Sequence, residues 1–292
     1  MRKTLVTLAA IALATTLAAC GDSSTPTTAG GATSGSGSAS SGTAPAAAAP
    51  TGLIDSASLS VCIDPEYAPL EYFEGTDTSN PVGFDADSAR ALGALWGVET
   101  TWQITSFDGL MPALQAQRCD IVWSGLYTSA ERLAVADAAP YLKTGPGLLV
   151  AAGTTDITDA DSLSGKTVAV QGGGANEATL QTLSDEFTAA GKEPITIQPY
   201  PKVAETVAAV TNGKAQALIE TDVAVGDIVA KSGGALAAVA GVFPTETEFG
   251  VFTTKGSALT PSVAAGIKTL ASDGTLATIA TTYGLDPTKI AS

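Results

Sequence analysis

The chain has 292 residues, of which 14 are basic, 29 acidic and none histidine, for a formal net charge of −15 at pH 7. That acid excess disfavours nucleic acid and anionic membrane surfaces as partners. The missing histidine excludes Ser-His-Asp and Cys-His catalysis and any histidine-containing zinc site, and no cofactor or metal is expected.

In chain order, Arg2 and Lys3 precede an apolar run over residues 5–17, too short to cross a bilayer and shaped like a signal-peptide core. It ends in Leu17-Ala18-Ala19-Cys20-Gly21, which reads as a bacterial lipobox with Cys20 as the lipidated residue; a secretory leader with a chance cysteine is the plainer alternative. Residues 21–56 are mostly Ser, Thr, Gly, Ala and Pro, with Asp22 the one charge before Asp55. Such a stretch cannot bury enough apolar surface to offset its ordering entropy. As a flexible tether it would hold the folded part on the order of 30 Å from the anchor. The expected location is therefore extracytoplasmic, attached to the membrane through a lipid only. Cys62 and Cys119 would then lie in a compartment where disulfides persist, either paired or as buried thiols.

The remainder alternates short β-rich runs with helical patterns, which predicts an α/β fold with mostly parallel sheets. Strands are expected at 59–63, 101–105 and 120–123, with helices at 85–96 and 109–117 between them. After Gly145-Pro146-Gly147 the pattern restarts. Strands at 167–170, 195–199 and 217–219 enclose helices at about 177–190 and 203–211. Two such sets imply two similar lobes. A returning strand at 249–253 and a pair of helices within 262–283 complete the chain.

Four stretches carry a resemblance in their order and spacing: Asp64-Pro-Glu-Tyr-Ala-Pro-Leu-Glu-Tyr-Phe73, Val82-Gly-Phe-Asp-Ala-Asp87, Phe107-Asp-Gly-Leu-Met-Pro-Ala-Leu114 and Cys119-Asp-Ile-Val-Trp-Ser-Gly-Leu-Tyr-Thr-Ser-Ala-Glu-Arg132. Asp273-Gly-Thr-Leu276 and Tyr283-Gly284 add to it. Over 59–285 the chain resembles family 3 of the bacterial solute-binding proteins, the polar amino-acid receptors of ABC importers. The resemblance implies a two-lobed, periplasmic-binding-protein-like (type II) clamp. Lobe 1 would comprise 57–146 plus 247–292 and lobe 2 would comprise 147–246, hinged near 143–149 and 243–250. It also implies permease subunits as partners, a small amino-acid-like ligand and a monomer.

Arg132 is the first candidate for ligand binding, because the resemblance implies that the Arg at this motif position holds the ligand carboxylate, which a guanidinium fork matches with two parallel hydrogen bonds; the duller reading is a surface Arg paired with Glu131. Ser124, Gly125, Leu126 and Tyr127 leave a strand at its carboxyl end, where open α/β sheets place ligands. Tyr127 departs from the small Ser or Thr that the resemblance implies. Tyr67 and Phe107 would be aromatic cleft walls. Asp64 would either meet a cationic ligand end or cap a turn with Pro65. Asp85 and Asp108 are read as helix caps and left off the site. Gln171-Gly-Gly-Gly-Ala-Asn-Glu177 opens a helix with free amides, so Gly174, Ala175 and Asn176 would face a ligand anion. It matches neither a P-loop nor a dinucleotide fingerprint. The resemblance implies an acid just after the strand at 217–219 that accepts the ligand ammonium; Glu220 and Asp222 both qualify, with Glu220 preferred and the other left as a solvated loop residue.

Two other classes compete with a pure receptor. A dehydratase-like enzyme on the same fold would use cleft carboxylates as acids. A sensor module would need a spanning segment, which no apolar stretch after the leader supplies.

Overall fold

The computed structural model describes residues 49–244 and 247–291. Cys20, the leader and most of the tether lie outside them. The described residues fall within one compact unit, Pro45–Ser292.

The first half runs β1 (Ser58–Ile63), β2 (Glu66–Tyr67), β3 (Glu71–Tyr72), α1 (Phe84–Trp96), β4 (Glu99–Ile104), α2 (Leu110–Gln115), β5 (Ile121–Val122), α3 (Ala130–Val135) and β6 (Ala136–Thr144). Next come β7 (Pro146–Ala151), β8 (Thr167–Gln171), α4 (Ala175–Ala189), β9 (Thr196–Tyr200), α5 (Val203–Thr211), β10 (Ala217–Thr221), α6 (Asp222–Lys231) and β11 (Leu236–Val239). Last are β12 (Thr247–Thr254), α7 (Thr260–Ser272) and α8 (Thr275–Thr282).

Two five-stranded sheets result, ordered β4-β1-β5-β12-β6 and β11-β7-β10-β8-β9. In the first, β1 pairs in parallel with β4 and β5, and β12 runs antiparallel between β5 and β6. In the second, β8 is parallel to β9 and β10, and β7 is antiparallel to β10 and β11. Each sheet thus has four strands pointing one way and one reversed. The chain passes between sheets at Gly145, between the end of β6 and the start of β7, and returns ahead of Thr247. This is the two-lobed α/β clamp.

The apolar runs explain why both sheets are buried on two faces. Leu59 and Val61 of β1 join one core with Ile121 of β5 and Phe249 and Val251 of β12. Their neighbours Cys62, Val122 and Phe252 join the core on the opposite face. In lobe 2, Val168, Val170, Ala217 and Ile219 face one side and Ala169 and Leu218 the other. Helix α1 stops at Gly97, whose φ of 68° is the left-handed C-cap conformation. Cys62 and Cys119 are paired as a disulfide, which resolves the alternative left open by the sequence. Among the described residues, no helix is long and apolar enough to cross a membrane.

Candidate ligand-binding cleft

The parallel strands of both sheets end at one cleft. From lobe 1, Asp64 follows β1, Ser124 and Gly125 follow β5, and Tyr67 sits on β2. From lobe 2, Gln171 ends β8, Gly174 to Asn176 begin α4, and Glu220 and Thr221 end β10. Ligand sites form where strand carboxyl ends meet such crevices. The space left is narrow, a cavity of about 40 Å³.

Eleven of the thirteen residues expected at the site line this cavity: Asp64, Tyr67, Phe107, Ser124, Gly125, Tyr127, Arg132, Gly174, Ala175, Asn176 and Glu220. Two do not. Leu126 is 1% exposed and packs in the core with Cys62, Leu110 and Phe252, because its apolar side chain is buried there and not at the cleft. Asp222 opens α6 and is already engaged by Thr144 Oγ1 at 2.7 Å, the Gly145 N–H at 3.3 Å and Lys289 Nζ at 2.7 Å. It fastens the crossover between lobes instead of facing the cavity. Asp85 is not a helix cap either: Gly83 holds that position, and the Asp85 side chain turns into the core.

Arg132 lies in the first turn of α3, whose N-cap Ser129 accepts from the Arg132 N–H at 3.4 Å. Its Nη1 donates to the Tyr127 carbonyl at 3.2 Å, and its guanidinium stands 5.8 Å from the Phe107 ring centre. Among the described residues no carboxylate lies within ion-pair distance of it. Burial lowers its pKa from the usual value, so an uncompensated cation faces the cavity. At the opposite wall, Glu220 is 4% exposed and accepts from Tyr67 Oη at 2.5 Å and the Thr221 N–H at 2.9 Å. Burial raises its pKa, while those two donors pull it back down. Tyr67 Oη also contacts Thr221 Oγ1, so one phenol joins the two lobes. Asp64 is pushed up to about 6, first by burial and then by neighbouring Glu66, against the Phe107 N–H and Lys202.

The Tyr67 ring can lie against the floor because residue 125 is glycine. Gly125 has a φ of 51°, and a Cβ there would sit 2.8 Å from Tyr67 Cε1. At the head of α4 the first-turn amides have no partner within the helix. The Gly173 N–H is taken by Glu177 Oε2 at 2.8 Å, which leaves the amides at Ala175 and Asn176 for the cavity. Tyr127 Oη and Asn176 Oδ1 are buried there without hydrogen-bond partners.

The sequence reading missed Glu66, Glu71, Val170, Gln171, Val203 and Thr221. Glu71, within the motif from Asp64 to Phe73, was accessible as a carboxyl in an apolar context. Thr221, next to Glu220 at a strand end, was equally legible. Val203 reads as an ordinary helix residue and carries no such signal.

The model of the bacterial extracellular solute-binding proteins, family 3, matches residues 59–286. The chain belongs to that family. It is 28% identical over 238 residues to the arginine-binding protein ArgT of Corynebacterium glutamicum, covering 81% of this chain and 77% of ArgT. It is also 28% identical over 239 residues to the L-cystine-binding protein TcyJ of Escherichia coli K12, covering 80% and 86%. Against the arginine-binding extracellular protein ArtP of Bacillus subtilis it is 35% identical over 122 residues, 42% of this chain and 47% of ArtP. Among solved structures, an ancestral arginine-binding protein bound to arginine superposes with a TM-score of 0.70 at 24% identity, covering 78% of this chain and 98% of its own. The ancestral amino-acid-binding protein described as a precursor of cyclohexadienyl dehydratase superposes at 0.68 with 27% identity, covering 78% and 95%. Family 3 members are extracytoplasmic solute binders, and these relatives bind amino acids.

Proposed function

We propose that this chain is the lipid-anchored receptor of an ABC importer, acting as a monomer and closing its two lobes over one small amino acid with a neutral or cationic polar side chain. One observation carries the reading. Arg132 faces the cavity without a carboxylate partner among the described residues, while the Asp64 and Glu220 carboxyls line the other walls. A single cation set against several acids complements a zwitterion with a further donor-rich end.

In this reading the Arg132 fork and the amides at Ala175 and Asn176 hold the ligand carboxylate. Glu220 accepts its ammonium, and Asp64 takes the far end of the side chain. Tyr67 and Phe107 cover the aliphatic stem. The arginine-binding relatives favour a cationic side chain. Segments at 143–149 and 243–250 serve as the hinge, and Cys20 carries the lipid.

Thermal unfolding of protein freed of ligand by unfolding and refolding tests this. L-arginine, L-lysine, L-glutamine, L-cystine and L-glutamate would be compared. A ligand at about 100 times its dissociation constant adds roughly 2.7 kcal/mol. The expected result is stabilisation by at least one of the first four and none by glutamate. Arg132→Ala should abolish the response while the unliganded protein still unfolds cooperatively. Unchanged affinity in that variant overturns the carboxylate clamp. No response to any amine moves the reading to the dehydratase-like alternative, with Asp64 or Glu220 as an acid.

A further inference from the structure

At the cleft floor lies a second pair of acids that the proposed ligand contacts do not use, Glu71 bordering the cavity from below and Asp85 deeper in the core. Glu71 on β3 and Asp85 in the first turn of α1 are 1% and 0% exposed. Glu71 Oε1 accepts from Ser124 Oγ at 2.7 Å, and the Asp64 N–H in turn donates to that hydroxyl at 3.0 Å. Asp85 Oδ2 accepts from the Gly125 N–H and from Tyr141 Oη, both at 2.7 Å. The two consecutive floor residues are thus each fastened to one acid.

The remaining oxygens, Glu71 Oε2 and Asp85 Oδ1, are buried and lack a donor. Ionised carboxylates only accept, so two of them side by side leave both atoms unsatisfied and both charges uncompensated. The groups facing the pair bring donors, among them the buried Trp123 N–H that lowers Asp85, but no compensating cation. They are Asp64 at the end of β1, Ser124 and Trp123 after β5, and Tyr141 on β6. None is cationic, and no ion pair among the described residues includes either acid. One proton on Glu71 Oε2, donated to Asp85 Oδ1, satisfies both orphaned oxygens and leaves a single charge, which Gly125 and Tyr141 stabilise.

We propose that Glu71 and Asp85 share one proton, and that this acid–carboxylate pair positions Ser124 and Gly125 at the cleft floor. Electrostatics agree with the geometry. Burial and then the Asp85 charge hold Glu71 well above the usual carboxyl range, and burial lifts Asp85 to about 7 despite its donors. Glu71 is a positioning residue, and its effect on binding rests on the ligand-cleft reading; the proton itself does not.

Linkage sets the sign of the pH dependence. A proton held by the folded protein and released on unfolding gives stability that is full below the unfolded carboxyl pKa of about 4.3 and is lost as pH rises through the raised folded value. Each pH unit in that window shifts the unfolding equilibrium by about tenfold per proton.

The test is infrared spectroscopy of the full chain at pH 7, paired with denaturant unfolding across pH. Wild type should show the carbonyl band of a protonated carboxylic acid. Glu71→Gln should lose it, because its amide donates permanently to Asp85 Oδ1 while its carbonyl accepts from Ser124. That variant should fold, and its unfolding equilibrium should depend on pH less steeply, by about tenfold per unit. If L-arginine binds wild type, Glu71→Gln should keep that affinity and Glu71→Ala should lose it. No band in wild type, or a band that survives when Glu71→Gln is combined with Asp64→Asn and Glu220→Gln, overturns the shared proton. If Glu71→Gln does not fold, the double variant Asp64→Asn/Glu220→Gln isolates the pair: a retained band supports it and a lost band overturns it. Failure of L-arginine to bind wild type counts against the proposed ligand and leaves the infrared result decisive for the pair.

Discussion

Asp64 shows how one side chain ties ligand choice to pH. Its carboxyl sits half in the cleft, and burial followed by the Glu66 charge raises it to about 6. The folded value exceeds the unfolded value of about 3.9, so its contribution to folding stability is full below that pH and is lost as pH rises towards 6. Binding of a cation runs in the opposite sense, because the cation favours the ionised form. Affinity for L-arginine should therefore fall, by up to tenfold per pH unit, on acidification below about 6, as titration calorimetry would show. Glu220 is also raised and adds its own dependence, so the comparison is with Asp64→Asn, whose profile should be flatter and whose affinity at neutral pH should be lower. At this scale Arg132 and Glu220 were legible as cavity-lining residues, because their positions in the resembled motifs fall at a helix start and a strand end. The choice between Glu220 and Asp222 was not, because two residues of spacing do not reveal that Thr144, Gly145 and Lys289 engage the second acid.

Among the elements, the turn after β5 is the most constrained. Gly125 holds a left-handed φ of 51°, donates its N–H to Asp85 and leaves room for Tyr67 on its open side. Gly125→Ala should cost about 1–2 kcal/mol for the backbone alone. The new methyl, 2.8 Å from Tyr67 Cε1 and 3.1 Å from Leu70 Cδ1, would also push the Tyr67 ring off the floor. Denaturant unfolding should record the lower stability, and ligand binding should weaken beyond it. The apolar runs of β1, β5, β8 and β10 announce strands buried on both faces, and the structure has strands there. Strand β6 escaped the reading because it carries Pro140, Asp137 and Lys143, tolerable at the edge of the sheet, where β12 is its ladder partner. Helix α6 escaped because Asp222-Val-Ala-Val-Gly-Asp-Ile-Val has weak intrinsic helix propensity and is held by packing on β7, β10 and β11.

Across the whole molecule, the polar contacts that join the lobes among the described residues include Tyr67 with Glu220 and Thr221 inside the cleft, Lys202 with Glu66 at its mouth, and Thr144 and Lys289 with Asp222 at the crossover. They are unequal. The Lys202–Glu66 pair is about half exposed on both sides, and pairs of that kind contribute about 0–1 kcal/mol. The Tyr67 hydroxyl donates to a buried carboxylate, a class of bond worth about 1.5–3 kcal/mol. Tyr67→Phe keeps the ring against the floor but removes that bond and leaves Glu220 short of a donor in the closed form. Losing about 2 kcal/mol shifts the ratio of closed to open molecules by roughly thirtyfold. Ligand-free Tyr67→Phe should accordingly be more expanded than wild type in small-angle scattering, and Lys202→Ala should differ from wild type much less. A ligand whose ammonium meets Glu220 replaces the missing donor, so saturating ligand should restore the wild-type dimensions in Tyr67→Phe. Identical scattering of the two ligand-free proteins would show that the phenol does not hold the lobes together, and that closure rests on the packing of the cleft walls.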